Sequence, residues 1–312
     1  LANPQAIELL VRHLQGTTSG DAKIMKQAEE FLKNAEREAG YGTLLLQVVS
    51  QKNIPLMPIR QAAALCLKNF IKKNWKTDDD QKDRIHPDDR NKLKANITQV
   101  MLNTEPQVKT QLGESIHLIC KEDFPAKWQN FLPDLVKRLD TKDPSTIFTI
   151  LEVIASVVHR YRYEARSENL FREIKFVLVT FQSALLKLTQ MICGLIPSSE
   201  NNGESLRAIF KCLDQACQIF YSLSSQDLPE FMEDNMEAFM TCFLGLVQYK
   251  NPLLNPKDED EPGLLDKTQT GVCEIVRLYT NKYEEEFNKW VPKFVTAVWD
   301  LLTRTNEKGR FD

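Results

Sequence analysis

Glycine and histidine are scarce in this chain, with 11 and four among 312 residues. Tight turns and phosphate-cradling loops depend on glycine, so the turn-dense β and α/β classes have little to build with, and an all-α fold is expected. There is no Gly-x-Ser-x-Gly elbow, no Walker loop and no Gly-x-Gly-x-x-Gly, which leaves nucleophilic and nucleotide chemistry without a starting point. His117 and Cys120 share a helical face at i, i+3, and Cys212 and Cys217 stand five apart, yet neither has a second pair at ligand spacing. No catalytic, cofactor or metal site is expected, and the chain is read as having no enzymatic activity.

Excess positive charge is missing too. A formal net charge of −3 is the wrong sign for a general nucleic-acid surface. Long uninterrupted apolar runs are also absent: the most apolar window, 176–196, is broken by Thr180, Gln182, Ser183, Lys187 and Gln190. It reads as a buried helix, with no membrane insertion expected. No charged segment followed by an apolar one opens the chain, so no secretory signal is expected. The seven cysteines are odd in number, scattered and mostly on apolar faces, which suits reduced thiols of the cytosol or nucleus better than a disulfide framework.

What the chain does have is helical periodicity from end to end. Helices are expected at 4–15, 21–38, 41–51, 57–75, 87–103, 106–121, 126–139, 145–163, 168–193, 204–223, 228–249, 263–282 and 286–303, mostly with joins shorter than six residues. One unit recurs. Asp123-Phe-Pro-Ala-Lys-Trp-Gln-Asn-Phe-Leu returns at Asp227-Leu-Pro-Glu-Phe-Met, an offset of 104 (227 minus 123), and FNKWVPKFVTAV aligns Phe287 with Trp128 and Trp290 with Phe131, an offset of 159 (287 minus 128). Both offsets are near multiples of 52 or 53, so the expected architecture is an α-solenoid of HEAT repeats, about six to seven antiparallel helix pairs. In that unit Asp123 is expected to cap a helix, the early proline to cost nothing, the aromatics to wedge between repeats and Pro133 to bend the helix.

Helix 57–75 carries an apolar stripe of Ile59, Ala62, Ala63, Cys66, Leu67, Phe70 and Ile71, leaving Gln61, Leu65, Lys68 and Lys72 on the opposite face. A leucine ringed by lysine and amide groups is either a solvated face or a partner-binding patch. Helix 21–38 is expected to bury Ile24, Ala28, Phe31, Leu32 and Ala35, turning Lys26, Glu30, Lys33 and Arg37 outward. Helix 106–121 presents Thr110, Glu114 and Lys121, with His117 beside them. As second helices of successive pairs, these three would together line a protein-binding concave wall. The loop 257–262 sets Asp258, Glu259, Asp260 and Glu261 in a row, either a solvated loop or an acidic docking loop for a basic partner.

AEEFLKNAE (28–36), RQAAALCLKNFIKKNW (60–75) and KEDFPAKWQNFLPDLV (121–136) resemble the N-terminal segment of importin-β-like nuclear transport receptors, the karyopherins. Those receptors are HEAT-repeat solenoids that bind the small GTPase Ran. Within that family RYRYEARSENLFREIKFVL (160–178), FYSLSSQDLPEFMEDNMEAFM (220–240) and KYEEEFNKWVPKFVTAVWDLL (282–302) resemble the exportins that return importin-α to the cytoplasm.

The resemblance implies importin-β N-terminal-type, Ran-binding repeats over 1–103 and further HEAT repeats of the same solenoid over 104–312. It implies Ran in its GTP form as partner, importin-α as cargo, contact with nuclear pore proteins and shuttling between nucleus and cytoplasm. Carried onto this chain, the Ran-binding candidates are Lys26, Glu30, Gln61, Leu65, Lys68, Lys72, Glu114, His117 and Lys121, with Asp258 to Glu261 a later contact. Family members are several times longer, so the chain reads as their N-terminal part, and its binding to Ran–GTP is expected to be weaker than a full receptor's. Two other readings stay open: an importin-β-type receptor with different cargo, and a HEAT scaffold for an enzyme complex, which would give the acidic loop no role.

Overall fold

A computed structural model describes residues 4–51, 57–76, 84–141, 143–256 and 261–303. Among these the regular structure is entirely helical. The chain divides into two compact units, residues 1–131 and 132–312, each a stack of antiparallel helix pairs of the HEAT type.

The first unit holds α1 (Pro4–Gly16), α2 (Ala22–Ala35), α3 (Tyr41–Ser50), α4 (Met57–Asn74), α5 (Pro87–Leu102) and α6 (Pro106–Asp123). Local chemistry starts them. Asp21 caps α2 through the backbone N–H groups of Lys23 and Ile24, and prolines open α5 and α6, where a missing N–H costs nothing. Gly40, at φ 85°, turns the chain into α3 and donates its N–H to the Asp89 carboxylate at 2.6 Å. α1 packs on α2, α3 on α4 and α5 on α6, while α1, α3 and α5 run alongside one another and α4 lies along α6. Leu14, Leu45, Ala63, Leu67, Leu93, Leu112 and Ile116 make a water-free seam between the layers. Close approach is needed at Gly42, where an added Cβ would stand 2.8 Å from the Phe70 ring and 3.1 Å from Leu93.

The second unit follows with α7 (Phe131–Lys137), α8 (Pro144–Val158), α9 (Glu168–Gly194), α10 (Ile196–Ser199), α11 (Gly203–Ser224), α12 (Glu230–Asp234), α13 (Met236–Gln248), α14 (Leu264–Lys282), α15 (Glu284–Phe287) and α16 (Val291–Leu302). α9 pairs with α11 and α13 with α14. The helices then stack in two rows, α8–α11–α14 and α9–α13–α16. Phe220 centres the core, with ring centroids of Phe239, Phe243 and Tyr279 at 4.8, 5.0 and 5.7 Å. A buried polar knot ties α9 to the turn after α8: Tyr161 donates to the Glu173 carboxylate at 2.6 Å, and Arg160 pairs with the same carboxylate. Burial and that carboxylate hold the Tyr161 phenol protonated, far above its usual range.

Polar side chains also reach across pairs to the free carbonyls at helix ends. The Gln269 amide of α14 donates to Leu246, Val247 and Tyr249 at the end of α13. The Gln226 amide likewise donates to Tyr161 O. Each such bond satisfies a group that a helix terminus leaves unpaired.

The boundaries differ from expectation in four main places: the helix expected over 145–163 ends at Val158 and passes into a 3-10 turn, His159–Arg162, and the other three have a physical reason. The helix expected from 126 begins only at Phe131, because Asp123 ends α6 and its carboxylate takes the Lys94 ammonium at 3.0 Å instead of capping a helix. Pro133 therefore sits third in α7, where no intrahelical hydrogen bond is lost and no bend is imposed. The expected single helices 228–249 and 286–303 are each split, by turns at Asn235 and at 288–290. In α2, Ile24 is 47% exposed rather than buried; it lies in the first turn beside the Gly16 end of α1, where the layer above has run out. All but the last two residues of the window 176–196 lie in α9, which is long and apolar enough to cross a membrane by length and composition. One face of it, including Val177, Phe181, Leu185 and Leu188, is buried, while Val179 and Met191 on the other are exposed.

Candidate partner-binding site

The nine residues named as a concave wall fall on α2, α4 and α6 of the first unit. On α4, Gln61, Leu65, Lys68 and Lys72 follow i, i+4, i+7, i+11 and share one face. Leu65 is 44% exposed and Lys72 is exposed, while Gln61 and Lys68 are half-buried. On α6, Glu114 and Lys121 are exposed and His117 between them is half-buried. Lys26 and Glu30 are exposed on α2. Three of the nine are thus partly covered rather than fully outward, because α4 and α6 lie against each other and shade the flanks of their outer faces.

The structure brings α4 and α6 together directly. α2 packs chiefly on α1 and meets the end of α4 through Glu36, whose carboxylate pairs with Lys73 at 2.7 Å. Of the acidic loop, Asp258, Glu259 and Asp260 lie outside the described residues. Glu261 is described and exposed, two residues before the Gly263 N–H that bonds the Asp266 carboxylate at 2.6 Å to open α14.

What holds α4 in place was not anticipated. Arg60, 4% exposed, points inward and donates from Nε to Val49 O at 2.9 Å, from Nη1 to Glu105 Oε1 at 2.8 Å and from Nη2 to Thr104 Oγ1 at 2.9 Å. One side chain thereby joins the end of α3, the first turn of α4 and the turn into α6. The Arg60 hydrogen bond pulls the Glu105 carboxyl down to about 2. The available signal was positional: residue 60 lies between Ile59 and Ala63 on the buried arc, where an arginine needs an acidic partner.

Comparison with known proteins assigns this architecture. The importin-beta N-terminal domain model matches residues 28–103, and the Cse1 model matches residues 157–312, half of the chain. The chain belongs to the Cse1 family. With its importin-β-type segment, this Cse1-family chain sits in the importin-β, or karyopherin, superfamily. It is 38% identical to Exportin-2 of Danio rerio over 310 residues, covering 99% of the chain and 32% of the relative, and 38% identical to Exportin-2 of Homo sapiens over 308 residues, covering 98% and 31%. A solved structure of the exportin Cse1 in its cargo-free, cytoplasmic state superposes with a TM-score of 0.87 at 33% identity, covering 97% of the chain and 32% of that protein. An importin-β crystal structure matches at TM-score 0.56 and 16% identity, over 91% of this chain and 30% of that one, which bears on the fold alone. The Cse1-family chain spans about a third of the length of the curated relatives it matches.

Proposed function

We propose that this chain is the Ran–GTP-binding part of an exportin that carries importin-α from nucleus to cytoplasm, shuttling between the two compartments. The observation that carries the reading is the α4 face. The segment that matches the importin-beta N-terminal domain includes it, and it presents an exposed leucine between a half-buried amide and two lysines on a helix clamped from behind by Arg60. Leu65 gains about 1 kcal/mol when a partner covers its exposed part, without any rearrangement of the helix. Lys26, Lys68, Lys72 and Lys121, with Glu30 and Glu114 among them, give a mixed-charge rim that steers association and sets register.

In this reading residues 1–103 supply the Ran-binding repeats and residues 104–312 continue the same HEAT array, with Asp258 to Glu261 as an acidic contact for a basic partner surface. The name Exportin-2 shared by the curated relatives supports export over import. Ran–GTP and importin-α would each raise the other's affinity by the same factor, as linkage requires, and GTP hydrolysis would release both. A role in transport rather than catalysis agrees with those names.

The test is capture of purified Ran by the immobilised 312-residue chain, with Ran loaded with a non-hydrolysable GTP analogue or with GDP, and with and without importin-α. Selective capture of the GTP form, strengthened by importin-α, is expected. Equal capture of both forms, or of neither, would overturn the reading.

A further inference from the structure

We propose that the cavity at the corner that follows α6 is a binding site for a single phosphate group. It has a volume of about 270 Å³ and lies within the first unit. Trp75 lines it from the end of α4, Arg90, Asn91 and Lys94 from α5, and Asp123 and Lys127 from the end of α6 and the turn beyond. The fold makes such a cavity twice. At the equivalent corner of the second unit, where Asp227 stands in place of Asp123, a cavity of about 290 Å³ is lined by Ile174, Lys175 and Leu178 of α9. The α5 residues keep that spacing 84 positions earlier (174 minus 90), with Arg90 at the place of Ile174, Asn91 at that of Lys175 and Lys94 at that of Leu178. Two aliphatic side chains serve this corner in one unit, and two cations serve it in the other.

Those two cations build the walls. Arg90 lies over the Trp75 ring, its guanidinium carbon 4.7 Å from the centroid, and donates to Trp75 O at 2.8 Å and to Ile85 O at 3.4 Å. Lys94 donates to the Asp123 carboxylate at 3.0 Å and to Lys127 O at 2.8 Å. Other donors are left over. The Lys127 ammonium and the Asn91 amide are exposed and have no side-chain partner among the described residues. Trp75 is 2% exposed, and its indole N–H has no acceptor among them either. A buried donor without an acceptor is costly, so a ligand that supplies one is favoured at this place.

The charge selects the ligand. Arg90, Lys94 and Lys127 outnumber the carboxylates of Asp123 and Glu122 by one, and Lys94 and Asp123 already neutralise each other. The excess suits one anionic group and disfavours a polyanion. The unclaimed donors come from three elements, the end of α4, α5 and the turn after α6. Oxygens of a tetrahedral phosphate point in enough directions to meet all three, whereas the two oxygens of a carboxylate lie in one plane. The volume also leaves room for the carbon group of a phosphate ester, so the free ion and a monoester share the chemistry. This inference is independent of the transport reading.

The experiment labels the tryptophans of the 312-residue chain with nitrogen-15 and titrates sodium phosphate at constant ionic strength. The four indole N–H resonances are followed, that of Trp75 being identified by its loss in Trp75→Phe while the other three report that the variant folds. A saturable shift confined to the Trp75 resonance is expected, and sodium chloride should not produce it. Lys127→Gln, at an exposed position, should weaken phosphate binding roughly tenfold or more. O-Phosphoserine is the second probe: tighter binding than inorganic phosphate assigns the site to phosphate esters, and weaker binding assigns it to the free ion. An unmoved Trp75 resonance, the same shift produced by chloride, or unchanged affinity in Lys127→Gln overturns the proposal.

Discussion

Replacing Arg60 with alanine removes the one side chain that holds α3, α4 and the α5–α6 turn at a single point. The guanidinium makes hydrogen bonds to Val49 O and Thr104 Oγ1 and a forked pair to Glu105. Glu105 keeps 39% of its side-chain surface and rehydrates when abandoned, so solvent screening limits its share to under about 1 kcal/mol. Thr104 is itself buried, and the carbonyl and hydroxyl left without their donor cost roughly 1 kcal/mol each, more if water cannot enter.

The expected loss is about 3 kcal/mol. For a unit of this size that lowers the thermal midpoint by roughly 10 °C. Circular dichroism gives the midpoint, and hydrogen exchange on peptides from α3 to α6 assigns the loss to this unit. Arg60→Lys should recover less than half, because a single ammonium nitrogen cannot reproduce the planar fork in which three separate nitrogens bond Val49, Glu105 and Thr104. A shift under about 3 °C for the alanine variant, or full recovery by lysine, would refute the reasoning.

Acid should act on the same clamp from the other side. Glu105 titrates near 2 in the folded chain against about 4.3 when unfolded, so its contribution is present above about pH 4.3 and fades as pH falls towards 2. Its exposure keeps the effect to no more than about 1 kcal/mol, and Glu105→Gln should abolish that part of the acid slope in denaturant melts. Trp128→Ala should destabilise the first unit by about 3 to 5 kcal/mol, since the indole is buried with its centroid 4.6 Å from Phe131; a variant with an unchanged midpoint would show that the aromatic corner contributes nothing. Leu65→Asp combined with Lys72→Glu should leave the stability within about 0.5 kcal/mol of wild type. In titration calorimetry the same pair should weaken Ran–GTP binding at least roughly tenfold, and undiminished affinity would move the site off α4.

Most of the helix ladder was legible because period, proline starts and polar joins coincide: α4, α5, α9 and α11 each begin and end within a residue of the expected bounds, and α8 begins within one but ends five residues early. The repeated aromatic unit was also legible as packing, since Trp128, Phe131, Phe287 and Trp290 are all buried. Its aspartates were not. Asp123 and Asp227 look like helix caps from the residues that follow, but each pairs with a cation distant in sequence, Lys94 and Arg166. Capping is a local rule, and a tertiary partner displaced it. For the same reason the outward faces of α4 and α6 could be read from spacing, whereas the partial cover of Gln61, Lys68 and His117 could not. That cover depends on how closely two helices far apart in sequence approach.

The carbonyl-capping side chains, Gln269 across α13 and α14 and Arg60 across α3 and α4, bear on how the stack would yield under load. Each grips the very end of a neighbouring helix, so it acts as a pivot: the two helices can roll by a few degrees about that point but cannot slide along each other without breaking several short bonds at once. A partner pressing on such an array would be accommodated by small rotations shared among many joints, so compliance is set by the number of pivots rather than by any single hinge.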